Sequence, residues 1–176
     1  MTSDYYDIDD ILADSEKIPC RFNMTIPGLG YLEGNPGKLL AKDTKIEIPM
    51  WLAEVLAVSG VLEQSEMSFV DLSEPDFVNS RVTNAIKTSP VSVDLHSIMP
   101  NYYKLAEKWC ALFEDRSTIQ IIMEMLRERA FEIYNFANNA NKQVNNDFVY
   151  SLDEFERKLL RVTSDTNRQM RKWIQE

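Results

Sequence analysis

Histidine, cysteine and glycine are scarce in this chain, and each shortage removes a class of chemistry. The chain has one histidine, His96. A catalytic triad or a histidine–carboxylate pair would have to be built around it. Its neighbour Ser97 does not face it in a helix or strand, and no nucleophile elbow accompanies it. His96 is expected to pack at the edge of the core, with its nitrogens hydrogen-bonded to nearby backbone. The two cysteines, Cys20 and Cys110, lie far apart in different expected elements. That is neither a disulfide framework nor zinc-ligand spacing, and a reducing, intracellular compartment is the plain reading. Glycine occurs five times. A phosphate-binding loop needs Gly-Lys-Ser/Thr opening a helix; Lys38 follows Gly37, but Leu39 stands where the hydroxyl is required. Gly28 and Gly30 are instead expected to permit positive φ in tight turns of a small sheet.

Basic charge is also short. Lys and Arg number 19 against 28 Asp and Glu, giving a net charge of −9. Affinity for duplex DNA comes from neutralising phosphates with Lys and Arg, so direct DNA binding is expected to be weak or absent. No apolar run approaches the roughly 20 residues that span a bilayer. The opening MTSDYYDIDD lacks the basic and apolar regions of a secretory signal. No membrane association is expected.

What is present is ordinary globular composition, 44% apolar and 27% charged, in a chain long enough for a real core. The chain is organised around 45–58, KIEIPMWLAEVLAV. Ile46 and Ile48 alternate with Lys45 and Glu47, the period of a half-buried strand. Pro49 is tolerated in the first turn of a helix. Beyond it Leu52, Val55, Leu56 and Trp51 fall at helical spacing. The expected class is α+β and mostly α: a small β-rich module with a short N-terminal helix over 1–48, then an α-helical domain over 49–176.

In the first part, Ile8, Ile11 and Leu12 mark an amphipathic helix beginning near Asp7. Its acidic DxDD lacks the glycine and distal glutamate of a calcium loop and reads as a solvated face. Strands are expected near 18–24, 29–33 and 44–48. Residues 69–72 read as extended or a turn. Such a module needs support from helices or another chain.

In the second part, Ser73 and Pro75 signal a helix to about Lys87 carrying Phe77, Val78, Val82 and Ile86. Ser89-Pro90 breaks it. Tyr102, Leu105, Trp109, Leu112 and Phe113 form one stripe. With Ser117 as N-cap, Ile119, Ile122, Met123, Leu126, Ala130, Ile133, Tyr134 and Ala137 form the next. Ile121, Met125, Phe131 and Phe136 lie off that stripe, so this helix is apolar on several sides. It is either a central core helix or one that covers a subunit interface, where aromatics and Met are enriched; periodicity does not separate the two. Residues 138–147, rich in asparagine, read as a loop. The last helix opens with Ser151 three residues before Glu154, a capping box. Leu152, Phe155, Leu159, Val162, Gln169 or Met170, and Trp173 approximate a heptad seam, with Trp173 as a terminal packing anchor. No cofactor, metal or catalytic constellation is expected; the chain reads as a protein that works by binding partners.

Several short stretches, in order along the chain, resemble one family: YYDIDDILAD at 5–14, IPCR at 18–21, IPGLGYL at 26–32, NPG at 35–37, IPMWLA at 48–53, NAIK at 84–87 and DLHSI at 94–98. Together they resemble the third Psf-type subunit of the eukaryotic GINS complex. Met50 stands where leucine is usual, and the C-terminal half is similar mainly as a helical pattern. The resemblance implies a β-rich B domain preceding a helical A domain. It implies three other GINS subunits as partners in a nuclear heterotetramer. That tetramer joins the MCM hexamer and a cell-division-cycle partner in the replicative helicase, with DNA polymerase reached indirectly through the complex. ATP hydrolysis would belong to MCM. The candidate partner surface is then Tyr5, Tyr6 and Ile8 at the N-terminus with Trp109, Phe113, Ile121 and Met125 on the helices. An unrelated acidic helical adaptor that binds a single partner is the alternative reading, and a small enzyme a third.

Overall fold

The computed structural model of the chain describes residues 6–59, 68–138 and 146–175. It divides into two compact units, Met1–Pro75 and Asp76–Glu176. No helix among the described residues is long and apolar enough to cross a membrane.

The first unit is built on a three-stranded antiparallel sheet with order β2-β1-β3. Helix α1, Ile8–Ser15, starts at Asp7, whose carboxylate accepts from the Asp9 N–H at 3.2 Å. Strand β1, Lys17–Phe22, turns Ile18, Cys20 and Phe22 inward, as strict alternation requires. Burial pushes the Cys20 thiol up to about 11, so it behaves as a small apolar group. Strand β2, Lys45–Pro49, pairs with β1 with Ile48 opposite Ile18 and Ile46 opposite Cys20.

Residues 29–33 are not the strand expected there: Gly30–Glu33 forms a 3-10 turn. The Gly30 N–H donates to the Lys38 carbonyl at 3.0 Å, and the Asn35 N–H donates to the Gly30 carbonyl at 2.9 Å. Local turn bonds therefore take the groups a strand would offer to a neighbour. The third strand is β3, Val70–Leu72, which pairs Val70 with Phe22 and Leu72 with Cys20.

Helix α2, Met50–Val58, buries Met50 and Ala53, while Trp51 and Val55 are exposed. The expected stripe was thus rotated, because a helix apolar on every side does not reveal its inner face. Helix α2 packs on α1 and all three strands, within the first unit. The division between units therefore falls later in the chain than the 48/49 boundary drawn from the change of period.

The second unit begins with a turn that buries Phe77 and Val78. Helix α3, Ser80–Thr88, follows, with the Asn79 side chain accepting from the Val82 N–H at 2.9 Å. Asn79 takes the capping role expected of Ser73, so Phe77 and Val78 anchor the approach and are not part of the helix. A 3-10 turn, Pro90–Ser92, and the single-turn α4, Leu95–Ile98, lead to α5, Tyr102–Phe113. The Phe77 ring meets Tyr102 and Trp109 edge-on, with centroids 6.3 and 6.2 Å away, the favoured arrangement for aromatic quadrupoles.

Helix α6, Arg116–Asn138, is capped by Asp115 instead of Ser117. The Asp115 carboxylate accepts from the N–H of Ser117 at 3.1 Å and of Thr118 at 3.2 Å. The 138–147 segment expected to be a loop lies mostly outside the described residues; its end is the start of α7, Asn146–Tyr150. Helix α8, Glu154–Gln175, runs along α6. Its capping box is Asp153/Glu156, one step from the expected Ser151/Glu154. The Glu156 N–H donates to Asp153 Oδ1 at 2.8 Å, and the Asp153 N–H reaches back to Glu156 Oε2 at 3.4 Å. Ser151 is occupied elsewhere, donating to the Phe148 carbonyl at 2.8 Å. His96 lies at the edge of the core as expected. Its Nδ1 is shielded from solvent, however, and has no hydrogen-bond partner among the described residues.

Candidate partner interface

The inner face of α6 consists of Met125, Arg129, Ile133 and Ala137, one residue every fourth position. An arginine therefore sits in the middle of the buried stripe. The reason is a polar cluster that uses all of its hydrogen bonds. Arg129 Nε and Nη2 grip the Glu156 carboxylate at 2.7 and 2.8 Å, and both side chains are fully buried. Nη1 donates to the carbonyls of Pro90 at 3.1 Å and Val93 at 2.9 Å, and Nη2 to that of Ser151 at 3.3 Å. The guanidinium also lies over the Phe148 ring, 5.3 Å from its centroid. Tyr103 Oη donates to Glu156 Oε1 at 2.8 Å. Burial, with Glu156 beside it, holds that phenol protonated far above its ordinary range. One side chain thus joins α6, the 90–93 segment, the turn before α8, and α8 itself.

With Arg129 facing in, large apolar residues face out. Ile119, Met123, Phe131 and Tyr134 form an exposed row on another side of α6, Phe131 being 66% exposed. On α8, Phe155, Val162, Met170 and Trp173 follow one line; Phe155 is partly covered, and Trp173 is 77% exposed. These are most of the expected seam positions, so Trp173 is not an anchor within this chain. In the first unit α2 exposes Trp51, Val55 and Val58. Aromatic and Met side chains in rows of this kind are what subunit interfaces use.

The sequence candidates separate into distinct groups. Tyr5 lies outside the described residues. Tyr6 and Ile8 are exposed on the first unit, and Phe113 on the second; Ile121 is half-buried. Met125 and Trp109 require correction. Met125 is 0% and Trp109 8% exposed in the chain by itself, which leaves almost no surface for a partner. Trp109 does lie against Phe113, ring centroids 4.5 Å apart, so it supports an exposed neighbour. Sequence reasoning missed Met123 and Tyr134 as surface because they belong to the main apolar stripe, whereas Phe131 lies off that stripe but was not among the candidate contacts. The available signal was Arg129: with Glu156 as its partner, it marks the face that an arginine would not be expected to occupy.

Two family models match the chain. One, described as the PSF3 N-terminal domain, covers residues 6–58; the other, the GINS complex protein helical bundle domain, covers 77–175. The chain is 65% identical to the DNA replication complex GINS protein PSF3 of Debaryomyces hansenii over 176 residues, 100% of both chains. It is 57% identical to the protein of that name from Candida albicans over 174 residues, 99% of this chain and 98% of the relative. To that from Saccharomyces cerevisiae it is 37% identical over 189 aligned positions, 97% of each. Two family models in chain order and full-length relatives that share one name lead to one assignment: the chain belongs to the PSF3 family of GINS DNA replication complex subunits.

Proposed function

We propose that this chain is a non-catalytic structural subunit of a nuclear GINS heterotetramer. The tetramer joins the MCM hexamer and a cell-division-cycle partner in the replicative helicase during initiation and elongation of DNA replication. Polymerase is engaged through the complex, and the chain itself binds DNA weakly or not at all. The observation that carries this reading is the outward row of Ile119, Met123, Phe131 and Tyr134 on α6, with Val162, Met170 and Trp173 on α8. Side chains this large and apolar are unfavourable in water, and burial against sister subunits would stabilise them. The first unit corresponds to the B-like domain and the second to the A-like domain. Tyr6, Ile8, Phe113 and Ile121 remain proposed contact residues; Met125 and Trp109 act as support from within.

The test is coexpression. Produced alone, the chain should aggregate or elute as mixed oligomers. Produced with three sister subunits, it should elute in one species of equal stoichiometry. A well-behaved monomer that ignores the sister subunits would instead indicate the acidic adaptor.

A further inference from the structure

Two buried carboxylates share one buried cation at the base of α8. Asp153, Glu156 and Arg129 are each 0% exposed. Arg129 commits every N–H of its guanidinium to Glu156 and to the carbonyls of Pro90, Val91, Val93 and Ser151. None is left for Asp153. The hydrogen bonds to Asp153 are one short backbone bond from the Glu156 N–H, 2.8 Å, and one long bond from the Tyr103 N–H, 3.4 Å. Burial in that position, beside a second carboxylate, penalises the charged form and favours a bound proton.

We propose that the folded helical unit keeps Asp153 protonated in mildly acidic solution, making the cap of α8 a latch that loosens as pH rises towards neutrality. The titratable groups around it are Tyr103 from α5, Arg129 from α6 and Glu156 from α8 itself. At the N-cap of α4, Asp94 is held below the usual carboxylate range, first by the Ser97 hydroxyl; His96 and Arg129 contribute less. Burial pushes the Asp153 carboxyl up to about 7 and the Glu156 carboxylate adds repulsion, while the N–H bonds from Glu156 and Tyr103 and the charge of Arg129 offset part of the rise. In the opened state the carboxyl returns to an ordinary value near 3.9. The folded form therefore binds one proton more between these values. Its stabilising effect is complete below about 4, and it is lost as pH rises through about 7.

Hydrogen exchange on the chain within its coexpressed complex tests this, read on peptides that cover the start of α8. After correction for intrinsic exchange, the opening constant in wild type should rise about tenfold per pH unit between pH 5 and 7 and level off above. Asp153→Asn keeps a cap acceptor without the titration, so its opening constant should be flat with pH and no larger than wild type at pH 8. The wild-type slope should survive in a His96→Gln background, which removes the chain's single histidine. A flat wild-type profile overturns the proposal. So does an Asp153→Asn protein that opens more readily than wild type at pH 8, because that would mean the cap works as an anion. If Asp153→Asn does not assemble, Asp153→Ser is read in its place; if neither assembles, the wild-type slope alone decides.

Discussion

Arg129 and Glu156, 27 residues apart in the chain, meet as a two-pronged ion pair with no solvent access to either side chain. Buried pairs of this kind do not contribute large net stability, because desolvation of both charges offsets their attraction. Losing one partner is another matter. Arg129→Met should destabilise the second unit by about 3–5 kcal/mol, since it strands the Glu156 carboxylate in the core. Pairing it with Glu156→Leu should recover much of that loss. Urea denaturation of the single and double variants gives the coupling directly; additive losses would show that the pair is not coupled.

Met125 and Phe131 give opposite outcomes for the same chemical change. Met125 lies wholly inside the chain, so Met125→Glu should cost about 2–5 kcal/mol and remove helix signal and complex recovery together. Phe131 faces outward, so Phe131→Asp should keep its helical circular dichroism and fail to assemble. Loss of helix signal in Phe131→Asp would place that residue in the core.

Gly30 and Gly28 are constrained for different reasons. Gly28 has φ +83 with open space around it, whereas a Cβ on Gly30 would lie 2.5 Å from the carbonyl oxygens of Asn35 and Lys38. Gly28→Ala should therefore cost on the order of 1 kcal/mol from backbone strain alone. Gly30→Ala must break the 30–38 turn and should be the more damaging of the two. Thermal unfolding of both variants in the assembled complex ranks them, and a smaller shift for Gly30→Ala would contradict the close approach.

Asp115 caps α6 from outside the core. The Thr118 hydroxyl, then the N–H groups and hydroxyl of Thr118 and Ser117, hold its carboxyl below the usual range. Its stabilising effect is present above the unfolded pKa and lost as pH falls through the lower folded value. Asp115→Ala should cost about 1 kcal/mol at pH 7, and the gap from wild type should close in acid. A gap that is constant down to pH 2 would mean that the charge plays no part.

Local signals in the sequence were read well where a single residue type settles the geometry. Asp7 starts α1, Ile46 and Ile48 alternate in β2, and Pro49 sits where β2 gives way to α2. The failures were of orientation. Helix α6 carries apolar residues on several sides, and the buried one is fixed by Arg129 bonding to Glu156 and to two peptide segments elsewhere in the chain. No window of adjacent residues contains that information. The same holds for β3: three residues, Val70–Leu72, become a strand because β1 offers an open edge, not because they alternate over any useful length.

The strand made first is the one that ends up in the middle. β1 is flanked by β2 and β3, so its second edge stays open until Val70–Leu72 has been synthesised. Neither flanking strand comes from a tight hairpin with it, and both partners arrive by closing long loops. The nascent first unit therefore cannot finish folding as its residues appear. It waits with an unpaired row of amides and carbonyls until the long connection from β1 to Val70–Leu72 closes. Lengthening that connection should delay maturation of the young chain much more than it weakens the finished fold.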